Sequence, residues 1–197
     1  MLEEKERKIV LASKSFRRKE LFKQVGIEFD IRESDFEEDM TLKKKPVELA
    51  KFLALEKAKD VAKHYEDAIV IGADTFVVSG RELIGKPKDE EDAERILKKL
   101  SGKWHKIVTG FAIIDTKNNI VVNDFGEAKV KFRKLGIEEI RNYIATGEPM
   151  DKAGAYGLQN KAAVFAEKIS GDFYSIVGLP LCKICEALQK MGIEILK

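Results

Sequence analysis

The segment Ala68-Ile69-Val70-Ile71-Gly72-Ala73-Asp74 constrains this chain more than any other. It is a continuous apolar run, short for a helix and without the alternation of a half-solvated strand, so it reads as a strand buried on both faces. The run ends on a carboxylate. A charge at that depth is costly unless a cation, a metal or a solvated cleft meets it, and Asp74 therefore stands out as a candidate functional group.

The flanking sequence supplies helices to cover such a strand. From Pro46 to about Tyr65 apolar residues recur at helical intervals, with Pro placed where a helix begins. A second helix is expected to start on Asp89, with acidic residues favouring its N-terminal dipole, and to end at Gly102. Upstream, KIVLAS reads as a strand and RRKELFKQVG as a helix closed by Gly26, followed by a second strand in IEFDIRES and an acidic turn, DFEED. Downstream of Asp74, TFVVSGRELIGKP reads as a hairpin turning at Ser79 and Gly80. HKIVTGFAIIDT, KNNI and VVNDFGEAKVKFRKL form a meander, IEEIRNYIATG a helix ending at Gly147, and LPLCKICEALQKMG a C-terminal helix. The order is mixed α/β: a mixed sheet with flanking helices, with no repeat or Pro/Ser-rich linker to mark independent domains. Residues 1–197 are thus expected to form a single domain with two lobes around a central cleft.

Charge narrows the partners. With 36 basic and 34 acidic residues the formal net charge is +2, which gives no broad footprint for stable binding to nucleic acid or to an anionic membrane. No segment approaches the ~20 apolar residues of a membrane span, and MLEEKERK is charged where a signal peptide would turn apolar, so a cytoplasmic protein is expected. Cys182 and Cys185 form a C-x-x-C without the second pair of ligands that structural zinc requires. With Leu181, Ile184 and Leu188 they fall on one helical side, and both thiols are expected to pack as small core hydrophobes.

Phosphate recognition must then be local. Ser13-Lys14-Ser15-Phe16-Arg17-Arg18 joins the first strand to the first helix, where hydroxyls, free backbone N–H groups and two guanidiniums could cradle a triphosphate; an ordinary helix cap is the alternative. Glu37 and Glu38 in the acidic turn could join Asp74 in holding Mg²⁺ or Mn²⁺, and Lys86 in the GKP turn offers an ammonium, although turn charges are commonly just solvated. In DKAGAYGLQN, Lys152, Tyr156 and Gln159 surround glycines and could approach a base or sugar, or simply build a turn. His64 and His105 are solitary and are assigned no catalytic part.

Taken together, LASKSFRRKEL, FEED, GADTFVV, GKPKDEEDAERILKKLSGKWHKIVTG, GEPMDKAGAYGLQ and VGLPL resemble the Maf family, in family order and over most of the chain. The resemblance implies a fold similar to that of the inosine triphosphate pyrophosphatases. It also implies hydrolysis of a nucleoside triphosphate between the α and β phosphates with a divalent metal, Mg²⁺ or Mn²⁺. Asp74 matches the family's proton acceptor and Glu38 a second acidic residue, both on the metal; Ser13, Arg18 and Lys86 match phosphate-side positions, and Lys57 a further family lysine, here taken with the phosphate set. Lys86 is also counted with Asp74 and Glu38 in the catalytic group. Substrate class follows three positions, Arg17, Thr75 and Gln159, a set that resembles the dTTP/UTP branch and differs from the 7-methyl-GTP branch. Phe16, Lys14 and Asn160 depart from the usual family residues. A 7-methyl-GTP substrate, a modified pyrimidine triphosphate and a non-catalytic part in septum formation are the alternatives, and a homodimer is left open.

Overall fold

The computed structural model describes residues 7–37, 39 and 42–195. Among the described residues seven strands form one mixed sheet: β1 (Ile9–Ala12), β2 (Asp30–Ile31), β3 (Ile69–Ser79), β4 (Glu82–Ile84), β5 (Trp104–Asp115), β6 (Ile120–Phe132) and β7 (Ala166–Gly171). The order is β2-β1-β3-β5-β6-β7, with β4 paired to β3. β1 runs parallel to both β2 and β3, whereas β4 pairs antiparallel with β3 and β7 antiparallel with β6. Helices α1 (Phe16–Gln24), α2 (Pro46–Ala62), α3 (Glu90–Leu100), α4 (Ile137–Ile144), α5 (Phe173–Val177) and α6 (Leu181–Lys190) lie between the strands in sequence. The fold class expected from the sequence is the one found.

The chain packs as two compact units. The first comprises Met1–Asp74, Gly110–Phe125 and Gly178–Lys197; the second comprises Thr75–Thr109 and Gly126–Val177. β3, β5 and β6 each contribute to both.

In the first unit Val10, Ala12, Ala58, Val61, Ala68, Val70 and Ala112 form a dry cluster in which small residues dominate. That composition reflects how near α2 lies to the sheet. A methyl group on Gly72 would sit 2.4 Å from the carbonyl oxygen of Ala54 and 2.9 Å from the amide nitrogen of Ala58. One on Gly110 would sit 2.3 Å from the carbonyl of Ala50. Ala50, Ala54 and Ala58 are spaced by four, so they form one stripe along α2, and all three are fully buried. Helix backbone therefore rests on strand backbone wherever glycine faces alanine. At the open end of β5, buried Asp115 receives both Arg7 guanidinium nitrogens at 2.6 and 2.7 Å and the Asn118 backbone and side-chain N–H groups at 3.0 and 2.8 Å. Those donors, Arg7 foremost, hold its carboxyl well below the usual range.

The second unit has a larger aromatic core. Phe132, Tyr143, Tyr156 and Phe165 meet edge to face, together with Ile96, Leu97, Leu100, Ile107 and Ile140. α3 begins as expected on Asp89, whose carboxylate accepts the Asp92 amide at 2.7 Å.

Two expectations need correction. IEFDIRES pairs only through Asp30 and Ile31, because Asp60 on α2 takes the Ser34 hydroxyl at 2.9 Å and the Asp35 amide at 2.8 Å, drawing the following backbone away from the ladder. The apolar run continues into the first arm of the expected hairpin as one strand, β3, of 11 residues through Asp74 and Thr75. Cys182 is exposed, with Sγ 3.6 Å from Glu186 Oε1, and Cys185 is half-buried, its thiol pKa raised by burial; the buried face of α6 is made by Leu181, Ile184, Ala187 and Leu188. Among the described residues no helix is long and apolar enough to cross a membrane.

Replacing Gly72 with Ala forces the α2 backbone outward. We expect a loss of at least about 2 kcal/mol in urea unfolding, against a small change for Gly136→Ala, where a methyl meets nothing within 4 Å.

Candidate active site

The approach of α2 to β3 has a direct chemical result. Side chains two apart on a strand share a face, so Asp74 points to the side from which Gly72 admits α2. Lys57 stands next to Ala58 on that helix, and its Nζ donates to Asp74 Oδ1 at 2.5 Å. Both side chains are largely removed from solvent, at 13% and 9% exposure, so this ion pair is screened far less than a surface pair. The cation demanded by a carboxylate at the end of an apolar run is thus Lys57, which the sequence reading had grouped with the phosphate ligands.

β1 delivers a second cluster in the same unit. Its last residue, Ala12, is followed by Ser13, which is buried; Ser13 Oγ accepts from Arg18 Nη1 at 3.1 Å and from the Ser15 amide at 3.2 Å. Arg18 Nε donates to the carbonyl of Gly178 at 2.9 Å. Gly178 has φ +123°, a conformation that favours glycine, which explains why the VGLPL stretch carries glycine at that point. α1 begins with no acidic residue in its first turn, and Ser15 at its N-cap makes no side-chain cap bond. The S-x-S motif is therefore not an ordinary cap here: Ser13 orients Arg18 instead. Arg17, the next guanidinium, lies half-buried in the first turn of α1.

In the second unit Thr75 is half-buried on β3, and its Oγ1 lies 2.9 Å from Oγ1 of Thr109 on β5. Lys86 is exposed in the turn after β4. The neighbouring carbonyl of Gly85 accepts the Gly154 amide at 2.9 Å, which fastens the GKP turn to the KAGAYG loop. Within that loop Gln159 is exposed, but Lys152 and Tyr156 are not. Lys152 Nζ turns onto the Glu148 carbonyl at 2.7 Å and Asp151 at 2.6 Å. Tyr156 Oη meets His105 Nε2 at 2.8 Å inside the aromatic core, where burial pushes the His105 pKa down to about 4. Of the three polar residues read as facing a ligand in this loop, two build the loop, and the solitary His105 is a core residue.

Glu38 lies outside the described residues. Among those described, no three of His, Cys, Asp and Glu come together as a metal cage. Of the two carboxylates expected on a metal, the described residues include Asp74. Thr109, Gly72, Gly110 and Gly178 are contributors that sequence reading passed over. The glycine inside a buried strand run was the available signal for the first close approach.

The chain is thus an α/β protein with a buried lysine–carboxylate pair on a strand and an arginine oriented at a helix start. Residues 8–191 match the family described as Maf-like protein, and the chain belongs to that family. It is 50% identical over 184 residues to the dTTP/UTP pyrophosphatase of Alkaliphilus metalliredigens, covering 93% of this chain and 95% of that one. It is 48% identical over 191 residues to the dTTP/UTP pyrophosphatase of Dictyoglomus thermophilum, covering 96% and 99%. In fold it is similar to the Ham1 protein of Staphylococcus aureus, with a TM-score of 0.52 at 16% identity over 94% of this chain and 100% of that one.

The lysine–aspartate pair can be tested apart from activity. Lys57→Met removes the ammonium beside a buried carboxylate, and Lys57→Met with Asp74→Asn removes both charges. In a double-mutant cycle the pair should show coupling of roughly 1–3 kcal/mol, with the double variant more stable than Lys57→Met alone; additive effects would mean the contact carries no coupling.

Proposed function

We propose that this chain is a nucleoside triphosphate pyrophosphatase that hydrolyses dTTP and UTP to the nucleoside monophosphate and pyrophosphate. The observation that carries the reading is the Lys57–Asp74 pair: a carboxylate placed at low exposure and fixed by an ammonium at 2.5 Å is poised as a general base. The names of relatives near half identity over almost the whole chain support the substrate pair.

In this reading Asp74 accepts the proton of a water that attacks the α phosphorus. The bond from that phosphorus to the bridging oxygen breaks, and pyrophosphate leaves with the electron pair. Lys57, donating to Oδ1, keeps the carboxylate in one orientation through the step. Arg18, oriented by Ser13 and the Gly178 carbonyl, is assigned to the phosphate oxygens, and Lys86 to the same phosphates as a second cation. Asp74 and Glu38 would hold Mg²⁺ or Mn²⁺, which when bound supplies Lewis-acid neutralisation of phosphate charge. Arg17, Thr75 and Gln159 are assigned to recognition of the pyrimidine.

Asp74→Asn is the decisive variant. It is nearly isosteric and keeps a hydrogen-bond acceptor for Lys57, so the fold should survive. We expect pyrophosphate release from dTTP and UTP to fall by roughly 10²–10⁴-fold, with circular dichroism unchanged. Retained turnover in the folded variant would sink the assignment of Asp74.

A further inference from the structure

The direction of one buried hydrogen bond determines what Thr75 can offer a ligand. Thr109 Oγ1 lies 2.7 Å from the carbonyl oxygen of Ser175 and 2.9 Å from Thr75 Oγ1. A carbonyl can only accept, and a hydroxyl has a single hydrogen, so the Thr109 hydrogen is committed to Ser175. In the contact between the two threonines Thr109 must then be the acceptor and Thr75 the donor. The Thr75 hydrogen is committed in turn, and any further interaction at Thr75 Oγ1 is made as an acceptor.

The arrangement is held from behind. Thr109 and Ser175 are fully buried, so protein groups set the order of the hydrogens. Ser175 Oγ donates to Asp172 Oδ2 at 2.5 Å and the Tyr174 amide donates to Asp172 Oδ1 at 3.0 Å, while the Asp172 amide is held by the Glu127 carbonyl at 3.2 Å. The carbonyl that receives the Thr109 hydrogen thus belongs to a segment pinned at the start of α5. All of these groups lie in the second unit.

We infer that Thr109 is a positioning residue that locks Thr75 as a hydrogen-bond acceptor, and that this lock selects pyrimidine bases with a donor at N3, uracil and thymine, over cytosine. The inference rests on the proposed pyrophosphatase activity and on Thr75 as a base-reading residue. Uracil and thymine carry N3–H between two carbonyls, whereas cytosine has a bare N3 in the same place. Against cytosine an acceptor-only Thr75 leaves two lone pairs opposed, a mismatch that an unlocked hydroxyl would relieve by turning its hydrogen toward the base.

The test is kcat/KM for UTP and for CTP, read by pyrophosphate release, on the wild type, Thr109→Val and Thr109→Ser, with thermal unfolding to establish that each is folded. Valine has nearly the shape of threonine but cannot accept from Thr75. The UTP to CTP preference should shrink by roughly tenfold in Thr109→Val, with CTP turnover rising, and should return in Thr109→Ser. A general loss of packing would lower both substrates together and leave the ratio in place. An unchanged ratio in folded Thr109→Val, or failure of serine to restore it, overturns the inference. Should Thr109→Val not fold, wild-type protein with N3-methyl-UTP decides: turnover equal to that of UTP overturns the lock, and a loss supports it. If the wild type releases no pyrophosphate from UTP or dTTP, the proposed activity fails and takes the inference with it; normal UTP turnover with an unmoved ratio refutes the lock alone.

Discussion

The contact of glycine in the sheet with alanine on α2 is the constraint on which the first unit depends. Gly72 and Gly110 remove the layer of side chains that normally separates helix from sheet, and Ala50, Ala54 and Ala58 match them from the other side. Only at that separation does Lys57 meet Asp74 while both remain shielded. Buried charge is tolerable when it is paired with good geometry, and the close packing supplies that geometry. A bulkier residue at Gly72 would therefore act on both the packing and the carboxylate two positions further on.

The same unit contains a second buried acid that shows what a purely structural solution looks like. Asp115 is saturated by Arg7 and Asn118 through four hydrogen bonds, three of them to side chains, and it closes the end of β5. At Asp74 the Lys57 ammonium donates to Oδ1. A guanidinium is a rigid planar fork that meets a carboxylate through two bonds, whereas a lysine is a compact charge on a flexible four-carbon stem. The two acids are both buried and differ in the cation that meets them.

The elements of this fold were legible in sequence where local chemistry alone decides them. Asp89 as a cap, Pro46 at a helix start, the turn at Gly80 and the unbroken apolar run before Asp74 each declare themselves within a few residues. What was hidden depends on groups distant in the chain. Nothing within IEFDIRES reveals that Asp60 will take the Ser34 hydroxyl and the Asp35 amide just after it, and nothing around Tyr156 reveals that its hydroxyl meets His105, 51 residues away. The Asp74 position was readable because an ionised group after Ile-Val-Ile-Gly-Ala demands an explanation. The identity of its cation was not, since Lys57 looks like any other lysine on a Lys-rich helix until the Ala50-Ala54-Ala58 stripe sets which side of α2 faces the sheet.

Recognition of a base by a threonine raises a problem that charge-bearing residues do not have. Uracil and cytosine are close in size, so a steric pocket separates them poorly and the polarity of the hydrogen bonds must do it. An arginine donates only, so Arg17 can read carbonyl oxygens without ambiguity. An exposed amide such as Gln159 can present either end by a flip, and a lone hydroxyl can rotate to donate or accept. A fold that relies on a hydroxyl for discrimination must remove that rotation. Here a backbone carbonyl does so through one intervening residue: Ser175 fixes Thr109, and Thr109 fixes Thr75. The device uses no charge and no bulk, only the rule that one hydrogen cannot be donated twice.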